Sequence, residues 1–130
     1  MSDDRPASKL KGIAPHFVVP DVVRAAEHYR DKLGFKILGY FLQPPVFAMV
    51  RRDGVEIHFG KSDAGGPAAP PSALRSEGVD AYIWVDDVNA SYAEFRARGA
   101  EIIEGPVKRI YDRIEIVVRD PDGFKIAFGQ

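Results

Sequence analysis

The chain repeats itself, and this internal repeat limits what it can fold into. When the first half is advanced by 66 residues, several positions fall on identical residues of the second half: Val19, Asp21, Val22 and Arg30 on Val85, Asp87, Val88 and Arg96. Near the end of each half, a shift of 69 overlays residues 53–60 on residues 122–129, and five of these eight positions are identical. Matching patterns in the same order predict two copies of one structural unit.

Each copy has the pattern of a strand, a helix and three further strands. Asp21 is a typical N-cap and Gly34 a typical C-terminal stop, and Asp87 and Gly99 hold the same places in the second copy. Apolar runs bounded by Gly, Pro and Asp predict the strands: 13–19, 35–42, 46–51 and 55–59, then 81–85, 101–104, 113–118 and 124–128. The predicted fold class is α+β, with two βαβββ modules.

A segment rich in small residues separates the two copies. Ten of the 18 residues from 61 to 78 are Gly, Ala or Pro, a composition typical of a linker. Residues 1–11 are polar, lack periodicity and are expected to form a disordered tail. We therefore predict a first module at 12–60, a linker at 61–78 and a second module at 79–130, all in one domain.

The composition excludes several kinds of site and partner. Without cysteine, the chain has no disulfide, no Cys-ligated zinc, no iron–sulfur cluster and no thiol nucleophile. Its net charge of −1 argues against a nucleic-acid partner. No apolar run approaches the ~18 residues that a membrane span needs. The first residues lack the apolar stretch of a signal peptide, so a cytoplasmic location is expected.

Side-chain alternation gives the predicted strands two unlike faces. One face is almost wholly aliphatic or Phe and is expected to pack against the helix of its module. The other mixes polar, aromatic and small side chains. This second face carries the candidate ligand-binding residues: His16, Glu56, His58, Asp80, Tyr82, Trp84 and Lys125. Aromatic rings with a few polar groups are the usual lining of a small-molecule site, so we predict a cleft; a plainly solvated face is the alternative.

Four other side chains are interpreted separately. His28 is expected on the exposed side of the first helix. Arg109 and Arg113 are interpreted as solvated strand ends, with recognition of an anionic group on a ligand as the alternative. Tyr111 is a candidate cleft aromatic whose face alternation does not assign.

Three motifs resemble a known superfamily. They are Val19-Pro20-Asp21 before a helix that ends in residues 29–35, Val85-Asp86-Asp87-Val88, and residues 118–126. With the paired modules, they resemble the glyoxalase/bleomycin-resistance/extradiol-dioxygenase (vicinal oxygen chelate) superfamily, from about residue 11 to residue 130. The resemblance implies a curved mixed-sheet cup. It also implies a homodimer whose cups are closed either within one chain or by exchanged modules.

The resemblance also implies where a metal would be bound. Metal-dependent members carry up to four ligands, and the corresponding positions here are Ala14, His58, Asp80 and Ala127. Alanine has no donor atom, so no metal and no other cofactor is expected. The alternative is one divalent ion (Zn, Fe, Mn or Ni) held by a rearranged set, His58 with His16 and either Asp80 or Glu56.

Three functions remain open at this point. The first is a metal-free binding protein that sequesters a small aromatic or heterocyclic compound, as the resemblance to bleomycin-resistance proteins implies. The second is a metal-dependent enzyme, a lyase or an extradiol dioxygenase, with the rearranged ligand set. The third is a metal-free enzyme in which His16 or His58 works with Asp80 or Glu56 as an acid/base pair.

Overall fold

The computed structural model describes residues 7–63, 66–75 and 77–130, which form two similar modules. The first contains β1 (His16–Val19), α1 (Val22–Leu33), β2 (Lys36–Phe41), β3 (Phe47–Arg52) and β4 (Val55–Lys61). The second contains β5 (Ala81–Trp84), α2 (Val88–Arg98), β6 (Glu101–Lys108), β7 (Ile114–Arg119) and β8 (Lys125–Gly129). The α+β fold class and the two βαβββ modules are confirmed.

Each module has one four-stranded mixed sheet with the same topology. The strand orders are β1-β4-β3-β2 and β5-β8-β7-β6. The first and last strands of a module pair in parallel, while all other pairs are antiparallel. The register places His16 opposite His58, and Tyr82 opposite Ala127. Residues far apart in the sequence therefore become neighbours on one face.

The helices begin and end where their capping residues predict. The Asp21 carboxylate accepts the amides of Val23 and Arg24 at 3.0 and 3.1 Å, and the Asp87 carboxylate accepts the Ala90 amide at 3.1 Å. Gly34 and Gly99 follow the helices in the left-handed conformation, with φ of 73° and 82°. Glycine adopts this conformation at little cost, so both helices stop at the predicted residues.

One apolar core runs through both modules. The predicted helix-facing residues Phe17, Val19, Ile57 and Ile126 are each at most 4 % exposed. Ile13 was expected on the same face but is 93 % exposed, because β1 begins only at His16. Pro15 lacks an amide proton for the sheet, which accounts for the shorter strand.

The sixth strand is longer than the sequence pattern predicts. Its pairing with β7 continues to Lys108, whereas the predicted strand ends at residue 104. Gly105 and Pro106 follow the predicted end of the strand, and two shifts in the register of β6 against β7 accommodate them.

Direct contacts join the two modules. The Phe17 and Phe124 rings are stacked with centroids 4.2 Å apart. The Tyr29 hydroxyl donates to the buried Asp120 carboxylate at 2.7 Å. Arg52 forms a bidentate pair with Glu94, through bonds of 2.8 and 2.7 Å. These contacts hold the modules in one arrangement.

The segment between the modules packs partly against the second one. Residues 71–74 form a short 3₁₀ helix in which Ser72 is 5 % exposed. The Asp80 carboxylate anchors it by accepting the Ser72 amide and hydroxyl at 2.8 and 2.5 Å, and also accepts the Lys125 amide at 2.8 Å. Part of the predicted linker (64, 65, 76) and of the predicted tail (1–6) lies outside the described residues.

In the part of the chain that the structure describes, no helix combines the length and the hydropathy that a membrane crossing needs.

Candidate functional site

The predicted site residues fall into two groups on the sheet faces opposite the helices. His16, Glu56 and His58 lie on the first sheet and are called the first half-site. Tyr82, Trp84 and Lys125 lie on the second sheet and are called the second half-site. The polar and aromatic contacts recorded for each group stay within its own module. Among the residues that the structure describes, none of these contacts joins the two half-sites.

The second half-site contains a cavity of about 420 Å³. Val117 and Ala127 form its apolar floor, since they are register partners on β7 and β8. Tyr82 and Tyr111 contribute aromatic rings, and Lys125 lies farther along β8. Residues 77–79, at the boundary between the linker and the second module, also line it. This volume is within the range of small-molecule pockets.

A buried carboxylate holds the two tyrosines in place. Glu115 is only 2 % exposed, and its Oε2 accepts the hydroxyls of Tyr82 and Tyr111, both at 2.7 Å. Its Oε1 accepts Nε of Arg109 at 2.8 Å. Arg109 also bonds Glu104 at the edge of the cavity. Because both tyrosine hydroxyls bind the same carboxylate, the rings are ordered before any ligand arrives.

These bonds determine the protonation states in the cavity. Burial alone would raise the pKa of Glu115, but hydrogen bonds from Arg109, Tyr111 and Tyr82 lower it overall. Burial and the bond to Glu115 raise the pKa of Tyr82 to about 12. The Glu115 bond, with some burial, also raises the pKa of Tyr111. At neutral pH, the cluster therefore contains an ionised carboxylate and two neutral tyrosines.

Trp84 is the most exposed aromatic residue of the second half-site. It is 61 % exposed, and its ring lies 4.6 Å from that of Tyr82. The Arg113 guanidinium covers the Trp84 ring at 4.5 Å, which is a cation–π contact. Arg113 is an exposed residue directly before β7, in line with the solvated strand end expected from the sequence, and it covers one face of the Trp84 ring.

A ring lies across a glycine at the same place in both modules. A Cβ on Gly60 would overlap Nε2 of His16, and a Cβ on Gly129 would overlap the hydroxyl of Tyr82. These two glycines correspond in the internal repeat, and so do His16 and Tyr82. Glycine in the last strand therefore leaves the space that each ring occupies.

The first half-site is a compact group of histidines and aromatic rings. The Phe47 ring lies edge-on to His16 and to His58, with centroids 5.6 Å apart in both cases. Nε2 of His58 lies 2.6 Å from Oε2 of Glu56. Such a contact orients an imidazole, and it brings together one of the acid/base pairs considered from the sequence.

Asp80 and His28 have other surroundings. The Asp80 carboxylate already accepts three bonds, which anchor the linker and the start of β8. His28 was expected on the exposed side of α1 but is half-buried, and its Nε2 is buried without a hydrogen-bond partner among the described residues. Burial, then nearby Lys32 and Arg24, lower the pKa of His28. It belongs to neither half-site.

The residues at the expected metal positions do not fit a metal ion. Ala14 and Ala127 offer no donor, and the Asp80 carboxylate is bound to Ser72 and the β8 backbone. Across residues 7–63, 66–75 and 77–130, no group of three or more His, Asp or Glu side chains is arranged to hold a metal. The version of the rearranged set that includes Asp80 is not assembled, because Asp80 is held elsewhere. In the other version Glu56 does contact His58, but together with His16 they are not among arrangements that could hold a metal in the described part of the chain.

Glu115 is a site residue outside the predicted set, and Arg109 is bonded to it, unlike the solvated strand end that was expected. Glu115 is a single acid in the apolar run of β7, and alternation places it on the same face as Val117. That pattern could have identified it as a buried cup residue. Arg109 and Tyr111 lie in the β6–β7 turn, where alternation says nothing about side-chain direction.

Comparisons with known proteins agree with this fold. The model of the Glyoxalase/Bleomycin resistance protein/Dioxygenase superfamily matches residues 12–128. No curated protein sequence matches the chain.

Solved structures with the same fold share little sequence with the chain. One is a bleomycin-binding protein complexed with bleomycin, with 19% identity, TM-score 0.74 and coverage of 93% of this chain and 98% of that one. A bleomycin-binding protein from Streptomyces verticillus, complexed with copper(II)-bleomycin, has 22% identity, TM-score 0.68 and coverage of 93% and 96%. A superfamily member from Sphaerobacter thermophilus has 18% identity, TM-score 0.70 and coverage of 92% and 97%.

Proposed function

The chain belongs to the glyoxalase/bleomycin resistance protein/dioxygenase superfamily, and on that premise we propose that it binds and sequesters a small aromatic or heterocyclic compound without a metal. The observation that carries the proposal is the pair of tyrosine rings held by Glu115 around the cavity. Rings that are fixed in advance lose little conformational entropy when a planar ligand packs between them.

The rest of the cavity supports a ligand of this kind. Its floor, Val117 and Ala127, is apolar and small enough to leave room above it. Ala127 occupies a position where metal-dependent members of the family would place a ligand. The bleomycin-binding proteins that share this fold are complexed with bleomycin or with copper(II)-bleomycin.

A second copy of the chain would complete the cup. Each half-site is open on one side, and apolar side chains are exposed on both: Val18 and Phe41 at 49 % and 44 %, Trp84 and Tyr111 at 61 % and 58 %. A homodimer in which the first half-site of one protomer faces the second half-site of its partner would cover these residues. It would also place His58 and Glu56 opposite the tyrosine rings.

Ligand screening tests the proposed function. Neutral and charged bicyclic aromatic compounds are screened by thermal shift, and binding compounds are then titrated against Tyr111→Leu. The variant removes an exposed ring from the cavity and is expected to weaken binding about tenfold, in line with the value of one ring contact. Ile110→Ala, at a fully exposed neighbouring residue, is the matched control and should bind normally. Equal affinity of wild type and Tyr111→Leu would contradict the proposed site.

A further inference from the structure

We infer that the aromatic compound held by the second half-site carries a carboxylate or similar anionic group that pairs with Lys125. This inference rests on the proposed function and adds the charge of the ligand to it.

Lys125 is a half-buried cation in the cavity without an acidic partner. Among the side chains that the structure describes, no carboxylate forms an ion pair with its ammonium group. Two acids of the cavity, Glu104 and Glu115, are instead bonded to Arg109. A partly buried ammonium group loses hydration that only an anion or hydrogen-bond acceptor restores. An anionic group on a ligand would provide such an acceptor inside the cavity.

A second cation lies directly beside Lys125. In the β7–β8 register, Arg119 is opposite Lys125, and both point to the cup face because Val118 and Ile126 are buried on the other side. Like charges directly opposite each other destabilise a strand pair. Glu101 offsets the charge of Arg119 through a bond of 2.5 Å and leaves the charge of Lys125 unmatched. A bound anion would relieve the repulsion.

The floor of the cavity separates this cation from the tyrosines. Lys125 and Gly129 are four residues apart on β8, which is about 13 Å along a strand. Tyr82 lies across Gly129, and the apolar pair Val117 and Ala127 lies between the two ends. A bicyclic ring system would fill the apolar part beside the tyrosines, with an acidic substituent directed toward Lys125.

Glu77 is the residue of the cavity that would favour a cationic ligand over an anionic one. It lies on the exposed rim of the cavity and forms no recorded ion pair within the described part of the chain. An exposed carboxylate keeps its hydration and gains little from a ligand, whereas the half-buried ammonium gains more. The test therefore includes a cationic compound.

The experiment is equilibrium dialysis of the full chain with three quinolines of similar size at pH 7. These are quinoline-2-carboxylate, its neutral amide and 2-(aminomethyl)quinoline. We expect the carboxylate to bind about tenfold or more tightly than the amide, as one charge-assisted hydrogen bond implies. In Lys125→Gln the preference should disappear, and in Lys125→Arg it should remain. Lys32→Gln, the same charge change on α1, is the matched control and should keep the preference.

Each outcome decides between the two proposals. Tighter or equal binding of the amide or the amine to the wild type overturns the anionic ligand but leaves the aromatic cup in place. A carboxylate preference that survives in Lys125→Gln overturns the role of Lys125. If none of the three quinolines binds, both the anionic ligand and the aromatic cup are contradicted.

Discussion

Two buried carboxylates that accept a tyrosine hydroxyl have pKa values shifted in opposite directions. Glu115 is bonded to Tyr82, Tyr111 and Arg109, and these bonds lower its pKa. Asp120 is bonded to Tyr29 and to two backbone amides, yet burial dominates and raises its pKa to about 6. The difference lies in Arg109, because only Glu115 has a cation in direct contact. Glu115 therefore stays ionised while it holds the two tyrosine rings of the cup. Asp120, in contrast, makes the contact between the modules sensitive to pH.

Asp120→Asn should reveal this sensitivity. Because the pKa of folded Asp120 lies above its unfolded value, its proton stabilises the folded state at low pH. That stabilisation is lost as the pH rises from about 4 to about 6. A shift of about two units corresponds to roughly 3 kcal/mol. The asparagine variant stays neutral throughout, so its unfolding free energy relative to wild type should rise by about 2 to 3 kcal/mol between pH 4 and pH 7.

Chemical denaturation of both proteins across this pH range measures the difference, and the contributions of other titrating groups largely cancel in it. A pH-independent difference would show that Asp120 titrates normally. Tyr29→Phe tests the partner hydroxyl and should lower stability most above pH 6, where the carboxylate is charged.

The last strand of each module has the same role, which is to leave space for a ring from the first strand. In both copies, a glycine near the end of the strand makes room for a ring from the neighbouring first strand. In the second module the ring is Tyr82, which also bonds Glu115 on β7. Residues of β5, β7 and β8 therefore contact one another around the Tyr82 ring, and these contacts fix the position of the ring in the wall of the cavity.

Gly129→Ala tests this arrangement. A Cβ there overlaps the hydroxyl of Tyr82 and lies 2.6 Å from its Cζ, so the ring must move and lose its bond to Glu115. We expect about tenfold weaker binding of a compound from the screen, with the secondary structure retained by circular dichroism. Gly54→Ala is the matched control, because a Cβ at that turn meets nothing within 4 Å. Equal affinities of the two variants would argue against a role for the Tyr82 ring.

Sequence patterns predicted the elements much better than the site. Capping by Asp21 and Asp87 and alternation in β4 and β8 were confirmed, because these signals depend only on local geometry. Three features escaped: the bonds of Asp80 to the linker, the turn that positions Arg109 and Tyr111, and the role of Glu115. The bonds of Asp80 and the geometry of the turn are side-chain contacts that neither periodicity nor composition encodes. Alternation places Glu115 on the cup face but does not reveal its bonds to Arg109, Tyr111 and Tyr82.

In the whole molecule, the positions of the two half-sites limit how a closed cup can form. The contacts between the modules, such as Phe17 with Phe124 and Tyr29 with Asp120, involve residues on the core side of the sheets. The cup faces remain open, with exposed apolar residues on both. We therefore propose that a second chain closes the cup in a homodimer.

Sedimentation velocity tests the homodimer. We expect a dimer at micromolar concentration for the wild type. Val18→Lys places a charge beside His16 on the first half-site and is expected to shift the protein to monomer, with binding of the aromatic compound weakened as well. Leu74→Lys is the control, since Leu74 is exposed on the linker and its replacement should leave the dimer intact. A wild-type monomer that binds ligand with full affinity would contradict the shared cup.

The most direct test of the central claim is a fluorescence titration of Trp84, the single tryptophan of the chain. The tightest-binding compound from the screen is titrated with and without EDTA. We predict a saturable change in Trp84 emission with the same affinity in both conditions, since the ligand packs beside Tyr82 and no metal takes part. Binding that disappears with EDTA, or that leaves Trp84 emission unchanged, would contradict it.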